Sequence, residues 1–168
     1  MIWIAIYIGI IFVSNWVVDH FGIVPVGFGL EAPVAVYLVG LSFTVRDLAH
    51  DALGRGWILA AVVAGAALSY AVSPSFAVAS GVAFLLGEGA DMAVYTPLRE
   101  KHRVLGVLAS NTVGLVIDSV VFLYLAFGSL DFLSGQIAGK AWVTLASVAV
   151  IAALRAGRRT YTLAEVVE

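Results

Sequence analysis

The sequence predicts an all-α integral membrane protein, a bundle of six transmembrane helices. Three observations support this: composition, hydropathy and the lengths of the apolar stretches. Of the 168 residues, 62% are hydrophobic and 12% are charged, whereas an average soluble domain has about 25% charged residues. The mean hydropathy of +1.04 is too high for a small domain with a polar surface. The chain has no cysteine and a formal net charge of -2, which excludes disulfides, thiolate metal sites and a basic nucleic-acid surface.

Six apolar stretches have lengths close to the about 20 residues that a helix needs to cross the hydrocarbon core. They cover residues 2–18, 28–45, 57–72, 76–95, 104–127 and 136–154. Pro33 falls in the first turn of the second stretch, where a helix tolerates proline. We expect the six spans to form one transmembrane domain over residues 1–168.

The basic residues predict how the bundle is oriented. Eight of the nine Lys and Arg residues follow spans two, four and six: Arg46, Arg55, Arg99, Lys101, Arg103, Arg155, Arg158 and Arg159. The charged residues and histidines of the opposite connections are Asp19, His20, Glu31 and Asp131. By the positive-inside rule, both termini face the cytoplasm, and we expect the protein in the inner (plasma) membrane.

Several polar residues lie deep within the predicted spans, where a charged group costs about 2.5–3.5 kcal/mol. They are Glu88 and Asp91 in span four, Asn111 and Asp118 in span five, and Lys140 in span six; Asn15 lies near the outer end of span one. Polar contacts between packed helices are one explanation. Ionisable groups at this depth more often line a solute path, so the embedded carboxylates are candidate substrate-binding residues.

Small residues recur at every fourth position of spans four and five, and each series leads to an aspartate. The series are Ala79, Ala83, Gly87 and Asp91, continued by Tyr95, and Gly106, Ser110, Gly114 and Asp118, continued by Phe122. Small residues at this spacing allow two helix backbones to approach closely. We therefore expect spans four and five to pack together along these two ridges.

The polar segment after span two contains Asp47 and Asp51, which are one helical turn apart and are flanked by Arg46 and Arg55. It is either a solvated loop that sets orientation or part of a gating or coupling element, in which Arg46, Asp47 and Asp51 act with Arg99 after span four. Gly54 fits the C-terminal end of a short helix in this segment.

Catalytic motifs are missing from the sequence. The three histidines, His20, His50 and His102, fall in predicted loops without the spacing of zinc ligands. There is no GxSxG elbow and no Walker loop. We therefore expect a protein that is not an enzyme and that has no cofactor and no metal.

Three stretches together resemble the vitamin-uptake-transporter-like family, also called the queuosine precursor transporter family. They are PVAVYLVGLSFTVRDLAHDALGR (33–55), LLGEGADMAVYTPLRE (85–100) and ASNTVGLVIDSVVF (109–122). The matching residues are Phe43, Asp47, Asp51, Gly54 and Arg55; Gly87, Asp91, Tyr95, Leu98 and Arg99; and Ser110, Asp118 and Phe122. Asn15 also resembles an asparagine common in the first span of the family.

The resemblance implies import of 7-cyano- or 7-aminomethyl-7-deazaguanine, a precursor of queuosine in tRNA. Six spans are also similar to the substrate-binding subunits of energy-coupling-factor importers, which need a partner with ATPases. An ATP-driven vitamin importer is therefore one alternative, and a small structural or pore-forming membrane protein is another. The expected partners are a small-molecule substrate and the lipid bilayer. The sequence leaves open whether the chain also binds an energising module or forms a homo-oligomer.

The deazaguanine that the resemblance implies presents N–H donors at N1 and the 2-amino group beside the O6 acceptor. A carboxylate accepts from both donors, an asparagine amide donates to O6, and an aromatic ring stacks on the base. The candidates are Glu88, Asp91 and Asp118 for the carboxylate, Asn15 and Asn111 for the amide, and Tyr95 and Trp16 for the ring. A second carboxylate could carry a proton if transport is coupled to protons.

Overall fold

The computed structural model describes residues 2–98 and 103–165. In this part of the chain, six helices and one two-stranded antiparallel hairpin are present. The helices are α1 (Ile2–Phe21), α2 (Val36–Leu53), α3 (Arg55–Tyr70), α4 (Pro74–Leu98), α5 (Arg103–Phe127) and α6 (Leu133–Glu165). The strands are β1 (Ile23–Gly27) and β2 (Leu30–Pro33), which connect α1 to α2.

Each predicted span corresponds to one helix, but the number of spans stays a prediction. Within the described residues, three helices are long and apolar enough to cross a membrane: α1, α4 and the Ala109–Phe127 part of α5. The apolar parts of α2 and α3, Val36–Arg46 and Gly56–Tyr70, are shorter. The polar segment after span two is not a loop, because α2 continues through it to Leu53 and ends at Gly54, whose φ is 85°.

The prediction that the second helix begins near Phe28 is wrong. Residues 28–33 belong to the hairpin, in which Ile23 pairs with Pro33 and Val24 pairs with Ala32. At the turn, Gly27, Phe28 and Gly29 have φ values of 98°, 55° and 72°. Three successive residues in the left-handed region cannot continue a right-handed helix. Pro33 therefore lies at the end of a strand, and α2 begins three residues later.

Polar and apolar side chains are distributed as in a membrane protein. Large apolar side chains are exposed around the bundle, among them Val63, Leu68, Leu145 and Val150. The fully buried side chains, in contrast, include Lys140, of which 1% is exposed. Because lipid solvates apolar groups and gives no partner to polar ones, this arrangement is stable in a bilayer and unstable in water.

The two ends of the bundle differ. At the end that carries the hairpin, called here the hairpin end, Ser73 between α3 and α4 donates a hydrogen bond to Asp19 of α1, at 3.2 Å. Gly135 of α6 contacts the hairpin so closely that a Cβ atom there would overlap the backbone of Glu31. The opposite end, called the terminus end, carries the start of α1 and Gly54.

The prediction that spans four and five pack along ridges of small residues is confirmed. A Cβ atom on Gly87 of α4 would lie 3.0 Å from the Cβ atom of Asp118 and 3.0 Å from the carbonyl oxygen of Gly114. A Cβ atom on Gly114 would in turn lie 3.2 Å from the Cβ atom of Asp91. The two backbones touch because neither glycine carries a side chain.

Replacing Gly87 by alanine is expected to destabilise the protein by about 1–3 kcal/mol, because the added methyl group pushes α4 away from α5. Gly89 on the same helix is the matched control, since nothing lies within 4 Å of a Cβ atom at that position. Thermal unfolding of the purified protein in detergent compares the two variants. An equal melting temperature for Gly87→Ala and Gly89→Ala would contradict the close packing.

Candidate functional site

A cavity lies in the half of the bundle toward the hairpin end, and residues from all six helices line it. We call it the hairpin-side cavity. The centre of a water-sized sphere can occupy about 70 Å³ of this cavity. The space that is free of protein atoms is about 670 Å³, and part of that space is open to the surroundings. Its polar lining residues other than Tyr7 are Ser14, Asn15, Ser42, Ser80, Asp118, Gln136 and Lys140. A cavity with convergent polar groups at the centre of an apolar bundle is the expected form of a small-molecule site.

Two of the hydroxyl groups in this cavity are already used by the helices. Ser42 donates a hydrogen bond to the carbonyl oxygen of Val39 at 2.7 Å, and Ser80 donates one to the carbonyl oxygen of Ala77 at 3.2 Å. Each satisfies a backbone group within its own helix. These serines therefore have less capacity left for a ligand.

Three polar atoms on residues that line the same cavity have no partner within the described residues. They are the hydroxyl of Ser14, the amide nitrogen of Asn15 and the amide oxygen of Gln136. The three residues are 6%, 3% and 2% exposed. A buried polar atom without a hydrogen bond costs about 1–3 kcal/mol, so a polar ligand in this cavity would gain free energy by satisfying them.

Asn15 was predicted from the sequence, whereas Ser14 and Gln136 were missed. Gln136 stands at the predicted start of span six, where a polar residue indicates only a helix end. The available signal was its spacing, because Gln136 and Lys140 are four residues apart and so share a helix face. Ser14 shares a face with buried Tyr7, but α1 is apolar all round, so its sequence shows no stripe.

A buried ion pair lines the hairpin-side cavity. The Lys140 ammonium lies 2.5 Å from the Asp118 carboxylate and donates a hydrogen bond to the Ser119 hydroxyl at 2.8 Å. It also lies 5.9 Å from the centre of the Phe43 ring, a distance at which a cation is attracted to an aromatic face. Lys140 is thus held by three residues from α2 and α5.

A second cavity, the terminus-side cavity, lies on the other side of this pair. It has about 100 Å³ for the centre of a water-sized sphere. The predicted site residues Glu88, Asp91, Asn111 and Asp118 line it together. Arg46 lines it too and forms an ion pair with Glu88. Asp118 and Phe84 line both cavities, so the Asp118–Lys140 pair lies at the boundary between them.

The other predicted residues are not brought into this arrangement. Tyr95 is half-buried on the last turns of α4 and lines neither of the two cavities. Trp16 is 38% exposed and packs against His20, with ring centroids 4.6 Å apart, which favours a role at the surface. Arg99 and the side chains of Asp47 and Asp51 lie outside the described residues, so their predicted gating role is a prediction still. In the described part of the chain, no group of three or more metal-ligating side chains is found.

An apolar surface, a buried ion pair and an internal cavity with several polar lining residues are features of a helical membrane protein. The chain belongs to the vitamin uptake transporter family: residues 68–156, just over half of its length, match the family model described as "Putative vitamin uptake transporter". The matched segment contains Glu88, Asp91, Asp118 and Lys140. No curated protein and no solved structure matches the chain. The family predicted from the sequence is thus confirmed, and its description is that of a transporter.

The Asp118–Lys140 pair gives a stability prediction. Lys140→Met leaves a buried carboxylate without its counter-ion, and Asp118→Asn leaves a buried ammonium, so each is expected to cost about 3–5 kcal/mol. The double variant buries no unpaired charge and is expected to cost less than either single variant. Thermal unfolding in detergent of all four proteins completes the cycle. Additive losses in the double variant would show that the two groups do not interact.

Proposed function

We propose that this protein imports a 7-deazaguanine, the 7-cyano or 7-aminomethyl precursor of queuosine, into the cell. The observation that carries the proposal is the set of buried, unpartnered polar atoms on residues that line the hairpin-side cavity. They include at least one acceptor, the oxygen of Gln136, and at least one donor, the amide nitrogen of Asn15. A ligand edge with donors next to an acceptor would satisfy both.

The guanine edge has this character. Its N1–H and 2-amino groups donate to the Gln136 oxygen or to the Asp118 carboxylate, and its O6 accepts from Asn15. Phe84 and Phe122 also line the cavity and offer aromatic faces, and stacking of a base on an aromatic ring contributes about 1–3 kcal/mol. An apolar vitamin would leave the polar atoms unsatisfied, which favours a hydrogen-bonding heterocycle.

The proposed path runs from the hairpin-side to the terminus-side cavity, across the Asp118–Lys140 boundary. In this proposal the protein spans the inner membrane six times as one domain, with both termini in the cytoplasm. The hairpin end then faces outward, because its connections contain no Lys or Arg. Glu88, Asp91 and Asn111 would receive the substrate on the inner side.

The uptake experiment uses bacteria that neither make nor import queuosine precursors. Expression of this chain, with the 7-cyano or 7-aminomethyl compound supplied at low concentration, is expected to restore queuosine in tRNA. Asp91→Asn and Asp118→Asn are expected to abolish uptake while the protein still inserts. Asn15→Ala and Gln136→Ala should each reduce it about tenfold, because each removes one ligand hydrogen bond from a buried site.

Ser134→Ala is the matched control, since Ser134 is exposed on the first turn of α6 and lies two residues before Gln136. Proteoliposomes that contain only this chain distinguish a self-sufficient importer from a subunit of an ATP-driven one. Queuosine that is not restored, with the protein present in the membrane, would contradict the proposed substrate.

The proposed orientation is tested by labelling single cysteines, because the chain has none of its own. Ser75 is exposed on the first turn of α4 at the hairpin end, and Ala52 is exposed on the last turn of α2 at the terminus end. A membrane-impermeant maleimide is expected to label Ser75→Cys in intact cells, and Ala52→Cys only after permeabilisation. The reverse pattern would invert the topology.

A further inference from the structure

The charges of the hairpin-side cavity balance. Among the described residues that line it, Asp118 is the one carboxylate and Lys140 is the one cation, and their charged groups are 2.5 Å apart. One ammonium paired with one carboxylate has no net charge. The unpartnered groups around it, on Ser14, Asn15 and Gln136, are uncharged.

A charged ligand would therefore meet no compensating charge in this cavity. An ion that leaves water for a low-dielectric interior loses several kcal/mol of solvation unless an opposite charge replaces the water. A cationic ligand would gain that charge only by displacing Lys140 from Asp118, and an anionic ligand only by displacing Asp118 from Lys140. Either displacement leaves one of the two protein charges buried and unpaired.

Lys140 has little freedom to move away. It is 1% exposed, and Ser119 and Phe43 hold its ammonium in addition to Asp118. The terminus-side cavity is built differently, because Asp91 there is a further carboxylate beside the Arg46–Glu88 pair. A balanced charge is thus a specific property of the cavity that holds the unpartnered polar atoms.

We infer that the hairpin-side cavity selects an uncharged heterocycle, and that Lys140 determines this selectivity by neutralising Asp118. Lys140 is then a specificity-determining residue, which acts through Asp118 and needs no contact with the ligand. The choice of test ligands rests on the proposed function. Of the two proposed precursors, the inference favours the 7-cyano compound, which is neutral, over the 7-aminomethyl compound, which is a cation at pH 7.

The test uses three deazaguanines that differ in the group on C7: cyano (neutral), aminomethyl (cationic) and carboxy (anionic). Their dissociation constants for the purified full-length protein in detergent are measured by titration calorimetry. The wild-type protein is expected to bind the cyano compound at least about tenfold more tightly than either charged compound. Binding of a charged compound as tightly as the cyano compound would overturn the inference while supporting the proposed function.

Three variants test the role of Lys140. Lys140→Met leaves the Asp118 charge uncompensated, so its preference is expected to change to the aminomethyl compound, by about tenfold. Asp118→Asn leaves the Lys140 charge, so its preference is expected to change to the carboxy compound. The double variant contains neither charge and is expected to prefer the cyano compound again. Asp131→Asn, which removes an exposed carboxylate from the α5–α6 connection, is the control and should keep the wild-type order.

The wild-type protein and the neutral double variant test the inference even if the single variants do not fold. A double variant that prefers a charged compound would overturn the assignment to this pair, and so would a folded single variant that keeps the wild-type order. Binding of none of the three compounds by the wild-type protein would contradict the proposed function and the inference together. Equal binding of all three would contradict the inference alone.

Discussion

The burial of the Lys140 ammonium is the constraint on which the arrangement of the bundle depends. A charge inside an apolar bundle is tolerated only with an opposite charge and further hydrogen bonds around it. Asp118 and Ser119 supply both, and they are consecutive residues of α5. Both must face α6, which fixes the rotation of α5 about its own axis. With that rotation, Phe122 lines the hairpin-side cavity, and Gly114 faces α4.

The close contact between α4 and α5 follows from the same rotation. Gly87 packs against the backbone of α5 beside Asp118, so this position of α4 places no side chain against the Asp118 carboxylate. Asp118 can therefore line both cavities while it binds Lys140. The ridge of small residues has two consequences that cannot be separated: it stabilises the helix pair, and it leaves the carboxylate accessible from two sides. A larger residue at Gly87 would affect both packing and the site.

The sequence predicted much of this architecture, and the failures have physical reasons. Six apolar stretches gave the six helices, and the four-residue spacing identified the α4–α5 contact. The hairpin was missed because Phe28 and Pro33 stand in an apolar run that continues into α2, and hydropathy alone does not distinguish a short apolar strand from a helix. Asp118 was identified because a carboxylate at that depth is costly. Gln136 was not, because a neutral amide near a helix end costs little until the fold buries it.

The segment that matches the family contains some of the polar groups of the hairpin-side cavity but not all of them. The matched segment, residues 68–156, contains the whole Asp118–Lys140 pair and Gln136, whereas Ser14 and Asn15 on α1 lie before it. On the proposed function, the pair sets the charge that a ligand must have, and the two α1 groups help to set its pattern of donors and acceptors. Hydrogen-bonding groups in a buried site discriminate between similar ligands far more strongly than apolar contacts do. A change confined to α1 could therefore alter which neutral heterocycle is bound, while the ion pair and the helix packing that depends on it stay the same.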